Sequence, residues 1–234
     1  MKLLIVIPAY NEAENLPRVL EELDRLLPGT DRVVVNDGSQ DGTAAICHRA
    51  GCPVLDLPAN LGLTGCFQTG MRYGYEHGYD AVVQLDGDGQ HDPAYVPAMV
   101  ATMEESGCDL VIGSRFVTEK RPFTLRMVGN ALISAALKLT TGQRVTDPTS
   151  GMRLYGKRLL KDMAYGISNG PEPDTVAWLL RSGAKMREIQ VTMRERVAGK
   201  SYLSIGKSVY YMVQMCMNIF FIQWVRNRSD SLCR

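Results

Sequence analysis

The sequence predicts an α/β protein, in which helices cover both faces of a mostly parallel sheet. Short apolar runs alternate with segments of helical periodicity through the first half of the chain. The runs are apolar on both faces of an extended chain, which is typical of strands buried in a parallel sheet. The 234 residues show no linker, internal repeat or low-complexity tract, so we expect both halves to fold as one unit.

Strands are predicted at the apolar runs and helices between them. The predicted strands are residues 3–7, 32–36, 53–57, 80–85, 109–115 and 186–193. The predicted helices are residues 16–26, 41–51, a helix ending at 77, 92–107, 124–141 and 172–182. Asp41 and Asp92 are placed as helix N-caps, because short polar side chains satisfy the first free N–H groups of a helix. Gly51 and Gly107 follow as stop signals.

Polar segments follow four of the strands at the point where each strand ends. They are PAYNE (8–12), NDGSQDG (36–42), DGDGQH (86–91) and GSRF (113–116). The carboxyl ends of parallel strands meet at one edge of a sheet, and ligands of open α/β sheets bind there. The functional site is therefore expected at this edge.

Asp86 and Asp88 are candidates for a metal site. Alternate residues of an extended chain share a face, so both carboxylates are expected on the same side. Carboxylates suit Mg²⁺ or Mn²⁺, and two of them leave positions open for water and substrate phosphates. Gln90 offers an amide oxygen as a third ligand. The alternative is a polar surface turn, because Asp-Gly is common in turns, but the three other polar loops on the same edge favour the metal.

The loops after the first two strands suit a nucleoside. The ring of Tyr10 beside the carboxylate of Glu12 fits stacking on a base and hydrogen bonding, although each alone is also compatible with an ordinary surface. Asp37 is expected at a strand tip, where a carboxylate can accept an N–H of the base. Asp41 is interpreted mainly as a helix cap.

Six segments together resemble a known family. They are IPAYNE, NDGSQDGT, LDGDGQHDP, GSRF, TDPTSGMRLY and MRERVAGKS, in this order. The set resembles the family 2 glycosyltransferases of the GT-A fold, most closely the dolichyl- and polyprenyl-phosphate mannosyl- or glucosyltransferases, over residues 3–205. The resemblance implies a Rossmann-like mixed sheet in residues 1–202, with a nucleotide-sugar half (1–115) and an acceptor half (116–202). Residues 203–234 then form a C-terminal apolar helix and tail.

The same resemblance implies roles for individual residues. The nucleotide-binding group is Pro8, Tyr10, Glu12, Asp37 and Asp86. The metal ligands are Asp86, Asp88 and Gln90, holding Mg²⁺ or Mn²⁺. The residues that meet donor or acceptor phosphates are Arg115, Arg194, Arg196 and Lys200. The family usually has two acids before the Gly-Ser of NDGSQDGT, whereas this chain has Asn36 and Asp37.

The expected reaction moves a hexose from a UDP- or GDP-sugar to a polyprenyl-phosphate-type lipid, with inversion at the anomeric carbon. A divalent ion near Asp88 stabilises the departing diphosphate, and Arg115 and Asp174 complete the candidate catalytic group. An alternative acceptor is a sugar hydroxyl of a glycan, which needs a general base. A non-catalytic nucleotide-binding partner of a membrane complex is a third possibility. A nucleotidyltransferase is disfavoured, because no Gly-rich basic loop follows the first strand.

Two segments offer a general base for the alternative acceptor. Glu172 and Asp174 lie at a predicted helix start, where acids also simply favour the helix dipole. Asp147 precedes Pro148 and is interpreted first as a turn residue.

The C-terminal region points to a membrane or a partner. Residues 208–225 carry no charge, but they include Gln214, Asn218 and Gln223. A helix lying in the membrane surface is favoured over a core or dimer helix, and over a span, which needs about 20 predominantly apolar residues. Residues 181–234 hold ten basic and three acidic residues, against 16 and 22 in residues 1–180. The basic end suits phosphates or an anionic surface.

These patterns also set expectations for partners and location. The partners expected are a nucleotide sugar, a lipid-linked or glycan acceptor, and a membrane surface or small membrane protein contacting residues 203–226. No nucleic-acid partner is expected. Six cysteines without a C-x-x-C pair are interpreted as free thiols of a reducing compartment. The expected location is the cytoplasmic face of a membrane, with peripheral attachment.

Overall fold

The computed structural model describes residues 1–166, 170–194 and 205–222. The strands in this part are β1 (Leu3–Ala9), β2 (Asp31–Asn36), β3 (Val54–Asp56), β4 (Ala81–Gln84), β5 (Leu110–Ser114), β6 (Arg153–Gly156) and β7 (Met186–Gln190). The α-helices are α1 (Leu16–Leu26), α2 (Thr43–Arg49), α3 (Gly62–Glu76), α4 (Val96–Ser106), α5 (Leu125–Thr141), α6 (Lys157–Tyr165), α7 (Pro173–Arg181) and α8 (Ile205–Met217). A 3₁₀ turn (Pro93–Tyr95) precedes α4, and a π-helical turn (Asn218–Ile222) continues α8.

The strands form one mixed sheet in the order β3-β2-β1-β4-β6-β5-β7. β6 runs antiparallel to both of its neighbours, and the other pairings are parallel. β6 and α6 were not predicted. Only four residues long, β6 includes the charged Arg153, which is buried at 1% exposure. A short strand with a buried arginine lacks the apolar run that identified the other strands.

The predicted strands and helices listed above are all present, with ends that differ by a few residues. The predicted strand at 186–193 ends at Gln190, and the predicted strand at 53–57 is shortened to β3. Asp92 caps the 3₁₀ turn as expected, accepting a hydrogen bond from the N–H of Ala94. The cap position of α2 is Gly42 instead of Asp41, but the Asp41 carboxylate still accepts the N–H of Thr43.

Two hydrophobic layers enclose the sheet. Alternate residues of β1 point to opposite faces: Leu4 and Val6 pack towards α3, α5, α6, α7 and α8, while Ile5 and Ile7 pack towards α1, α2 and α4. α3 lies especially close to the sheet, since a Cβ at Gly70 would come within 2.2 Å of Val6 Cγ1. The burial of both faces explains the apolar runs of β1, β2, β4 and β5.

α8 packs on the body through one face. Met215 and Ile219 are buried among the residues that α5, α7 and the sheet contribute. Its polar residues make specific contacts, because the Tyr211 hydroxyl donates to Glu172 Oε2 and Asn218 Nδ2 donates to Asp174 Oδ2. Within the ranges described above, no helix is long and apolar enough to cross a membrane.

Candidate functional site

The carboxyl ends of β1, β2 and β4 surround a cavity of about 270 Å³. It lies where the strand order reverses on either side of β1, which is the usual ligand position in open α/β sheets. The lining residues are Pro8, Ala9, Tyr10, Glu12, Asp37, Leu63, Cys66, Asp86, Gly87 and Asp88. The structure therefore brings together all five residues that were predicted to bind the nucleotide, along with Asp88.

The loop after β1 is shaped by Asn11. Its φ of 55° lies in the left-handed region, which Asn tolerates better than most residues. The Asn11 side-chain oxygen accepts the N–H of Gln40, and its own N–H donates to Ser39 Oγ. This bracing against the loop after β2 leaves Tyr10 and Glu12 in the cavity wall. Glu12 Oε2 also accepts a hydrogen bond from Asn15 Nδ2 at 2.7 Å.

Asp37 is fixed at the start of α3. Its two carboxylate oxygens accept the N–H groups of Leu61 (2.7 Å) and Gly62 (2.9 Å), and the residue is 3% exposed. Burial, reinforced by the negative charge of Asp37, raises the pKa of the neighbouring Cys66 thiol to about 12. Cys66 is therefore a neutral part of the cavity wall at pH 7.

Asn36, which stands where the family usually has an acid, makes contacts that depend on its amide group. Asn36 Nδ2 donates to Asp56 Oδ1 at 2.7 Å, and Asn36 Oδ1 accepts the N–H of Ser39. A carboxylate at position 36 has no N–H to donate to Asp56. The amide is thus the side chain that joins the end of β2 to the end of β3.

The turn after β4 is held by hydrogen bonds to the two aspartates it carries. Gln84 Nε2 donates to Asp86 Oδ1 at 3.0 Å, and Asp88 Oδ1 accepts the N–H of Gln90 at 3.0 Å. Gly89 adopts a φ of 76°, a conformation that favours glycine. Asp86 is the more exposed of the two acids, since its side chain is 35% exposed and Asp88 is buried.

Arg115 pairs with a carboxylate that was interpreted as a turn residue. Arg115 Nε and one of its terminal nitrogens donate to the two oxygens of Asp147, at 2.7 and 2.9 Å. Asp147 is fully buried and also accepts Asn130 Nδ2. The turn itself is present, because the N–H of Ser150 donates to the Asp147 carbonyl. Sequence reasoning missed this pairing, because the two residues are far apart along the chain.

Arg194 is also held by acids. Its guanidinium contacts Glu22 at 2.6 Å and Asp92 at 2.7 Å. The backbone N–H of Arg194 donates to the Gln90 carbonyl. Gln90 Nε2 in turn donates to the Arg194 carbonyl at 3.4 Å, which leaves the amide oxygen of Gln90 as its acceptor atom. The other two predicted phosphate ligands, Arg196 and Lys200, lie outside the described residues.

Asp174 stands in the first turn of α7. Its Oδ1 accepts the N–H of Thr175, and its Oδ2 accepts Asn218 Nδ2. Gln90, Arg115 and Asp174 do not belong to the lining of the 270 Å³ cavity, so far as the described part of the chain shows.

A second cavity, of about 340 Å³, was not anticipated. It opens between α5 and the loop before it, and its lining residues are Arg121, Pro122, Phe123, Met127, Val128, Ala131 and Leu132. The Arg121 guanidinium donates to Ser134 Oγ and to the Thr146 carbonyl, and burial lowers its pKa. An apolar cavity with one cation on its wall suits an amphiphilic anion. The sequence signal was weak, because TEKRPF has the composition of an ordinary loop.

An open α/β sheet with polar and acidic residues at the carboxyl ends of its strands is typical of nucleotide-binding proteins. Comparison with known families narrows this class. Residues 4–164 match the model of the family described as Glycosyl transferase family 2, and the chain belongs to that family. It is a glycosyltransferase, as the sequence predicted.

Individual relatives cover most of the chain. It is 35% identical over 219 residues to an undecaprenyl-phosphate mannosyltransferase of Micrococcus luteus, covering 88% of this chain and 89% of that protein. It is 29% identical to a polyprenol monophosphomannose synthase of Mycolicibacterium smegmatis, covering 86% and 80% respectively.

Solved structures confirm the GT-A fold. The glucosyl-3-phosphoglycerate synthase of Mycobacterium tuberculosis, solved with Mn²⁺, UDP-glucose and phosphoglyceric acid, superposes with a TM-score of 0.69. The two chains share 20% identity, and the match covers 97% of this chain and 81% of that one. At this identity the likeness concerns the fold alone.

Proposed function

We propose that the protein transfers a hexose from a nucleoside-diphosphate sugar to a polyprenyl-phosphate-type lipid, using a divalent ion and inverting the anomeric carbon. The observation that carries the proposal is the 270 Å³ cavity, which gathers Tyr10, Glu12, Asp37, Asp86 and Asp88 at the switch point of the sheet. The lipid-phosphate relatives support the acceptor class.

The oxygen atoms available as metal ligands suit Mg²⁺ or Mn²⁺. Asp86 and Asp88 line one cavity, and the amide orientation of Gln90 leaves its oxygen as an acceptor. Among the residues whose positions are described, no group of three His, Cys, Asp or Glu side chains is arranged to hold an ion alone. Asp86 and Asp88 would hold the ion with positions left open for phosphate oxygens, and the bound ion would supply positive charge that stabilises the departing diphosphate.

The protein residues then have separate tasks. Tyr10 and Glu12 orient the nucleoside, while Asp37 holds the start of α3 beside it. The acceptor phosphate oxygen attacks the anomeric carbon from the face opposite the diphosphate, so one carbon–oxygen bond forms as the other breaks and the configuration inverts. A phosphate is already ionised near neutral pH, and no side chain needs to remove a proton.

The acceptor half supports an amphiphilic substrate. The 340 Å³ cavity has apolar walls and the Arg121 guanidinium, and it opens beside exposed Val128 and Leu132 of α5. The described exposed side chains of α5 and α8 are mostly apolar, with Lys138 and Gln214 among them, and include no acid. We infer that these two faces rest on the membrane surface, with the basic residues near anionic headgroups.

The first test is ligand-dependent stability. We expect UDP or GDP to raise the melting temperature, with a larger rise in the presence of Mn²⁺, because a ligand that binds only the folded state stabilises it. Asp88→Asn should remove the Mn²⁺ increment. Asp80→Asn is the matched control, since Asp80 bonds the N–H of Lys2 near the start of β1, at the opposite edge of the sheet. No shift with any of UDP, GDP, CDP or TDP contradicts the proposal.

Transfer of labelled hexose then separates the acceptors. Transfer to polyprenyl phosphate by Asp174→Asn should stay within a few-fold of the wild type, because the lipid phosphate needs no base. A loss of about 100-fold or more would contradict transfer without a base. Transfer by the wild type to a glycan hydroxyl but not to polyprenyl phosphate, with that transfer lost in Asp174→Asn, would indicate the hydroxyl acceptor instead.

A further inference from the structure

His91 lies under the turn that carries Asp86 and Asp88, and its imidazole is only 5% exposed. The N–H of Asp86 donates to His91 Nδ1 at 3.0 Å. A neutral imidazole that accepts at Nδ1 carries its proton on Nε2. This Nε2 lies 3.5 Å from Oδ2 of the same Asp86. One buried side chain therefore faces both the backbone and the carboxylate of one predicted metal ligand.

Two further residues, Gln84 and Gly151, lie against this pair. Gln84, which is 1% exposed, donates to Asp86 Oδ1, so each oxygen of that carboxylate lies near a different neutral donor. Gly151 packs against the imidazole, because a Cβ there would lie 3.1 Å from His91 Cε1 and 3.4 Å from Asp86 Oδ2. A side chain at 151 would therefore displace the imidazole from its present position.

We propose that His91 is a positioning residue that fixes the direction of the Asp86 carboxylate, and that Gly151 leaves the space for its ring. The inference rests on the function proposed above, because it treats Asp86 as a ligand of the divalent ion. Groups behind a metal ligand hold it in one orientation, and their loss typically weakens metal binding by about 10- to 100-fold. Neutral donors orient Asp86 without cancelling the negative charge that attracts a cation.

The test measures Mn²⁺ binding directly, by the electron paramagnetic resonance of free Mn²⁺, with saturating UDP or GDP as the wild type requires. His91→Ala should weaken Mn²⁺ binding by about tenfold or more. His48→Ala, which alters an exposed residue of α2, is the control and should bind Mn²⁺ like the wild type.

Two further variants separate positioning from folding. His91→Asn keeps an acceptor for the N–H of Asp86 but places nothing at Nε2, so its melting temperature should stay near that of the wild type while Mn²⁺ binding weakens. Gly151→Ala leaves the imidazole chemistry unchanged and should weaken Mn²⁺ binding by displacing the ring. In turnover, the KM for Mn²⁺ should rise in both variants, with a smaller change in kcat at saturating Mn²⁺.

The outcomes are distinguishable. If the wild type binds neither nucleotide nor Mn²⁺, the proposed function fails whatever His91 does. If the wild type binds both, and His91→Asn and Gly151→Ala retain its Mn²⁺ affinity, then the positioning role is wrong and the proposed function stands.

Discussion

At the scale of single residues, Asp147 is a fully buried carboxylate outside the cavity that pairs with Arg115. Burial by itself raises the pKa of its carboxyl, but the hydrogen bonds and positive charge of Arg115 outweigh this, so the pKa lies below its usual value. A carboxyl with a lowered folded pKa contributes stability that is complete above its unfolded pKa of about 4. That contribution is lost as the pH falls through the folded pKa.

Asp147→Asn should lower the free energy of unfolding at pH 7 by about 3 kcal/mol, because Arg115 loses its buried partner. The difference from the wild type should shrink below about pH 4, where the carboxyl of the unfolded wild-type chain becomes protonated, and it should be lost as the pH falls through the lowered pKa of the folded protein. Urea unfolding at a series of pH values measures both effects. Asp24→Asn, on the exposed surface of α1, is the control and should change little. A difference that is constant from pH 7 to pH 3 would contradict the assignment.

At the scale of elements, the approach of α3 to the sheet depends on small residues. Cβ atoms at Gly70 and Gly74 would lie 2.2 Å from Val6 Cγ1 and 2.5 Å from Val82 Cγ2, respectively. Those distances are far inside van der Waals contact, so the helix must move if either glycine is replaced. Because Leu63 and Cys66 of the same helix line the cavity, its position also sets the cavity wall.

Gly70→Ala should destabilise the protein by about 1 kcal/mol, because overpacking costs about 1–3 kcal/mol and alanine regains about 1 kcal/mol of helix propensity. In a Val6→Ala background the same change should be neutral or stabilising, since the contacting methyl groups are gone. A double-mutant cycle by urea unfolding measures this coupling. Independent, additive effects of the two changes would show that the contact does not limit the packing.

At the scale of the whole molecule, one surface differs from the rest. The exposed apolar residues of α5, α8 and the π-helical turn after α8 are Val128, Leu132, Leu139, Tyr210, Val213, Met217 and Phe221. The two helices pack together, as a Cβ at Gly129 would overlap Met212. Exposed apolar residues grouped on two adjacent helices are typical of an interaction site, and lipid is the partner that the proposed acceptor requires.

Leu132→Glu combined with Val213→Glu should reduce cosedimentation with phosphatidylglycerol vesicles by about tenfold or more, because two apolar side chains no longer enter the lipid. Ala101→Glu, on α4 across the sheet, adds a charge without touching this surface and is the control. Neutral phosphatidylcholine vesicles should bind the wild type more weakly, since anionic headgroups attract the basic residues. Unchanged vesicle binding by the double variant would exclude these faces as the contact.

Much of the fold was predictable because its signals are local. Apolar or alternating runs mark six of the seven described strands, and Asp, Pro and Gly residues mark helix ends within a few residues. The edge of the site followed as well, because the carboxyl ends of parallel strands must meet. β6 escaped prediction, since a four-residue strand containing Arg153 becomes recognisable only when its neighbours cover it.

The sequence by itself determined the fold class, the family and the set of residues at one edge of the sheet, because periodicity, turn chemistry and motif order act over short stretches. Only the tertiary structure decided which charges neutralise one another. Arg115 meets Asp147 across 32 positions and Arg194 meets Glu22 across 172, distances over which no local pattern carries information. It also decided that His91 lies beneath Asp86. That contact depends on the space left by Gly151, which lies in the loop before β6, far from His91 along the chain.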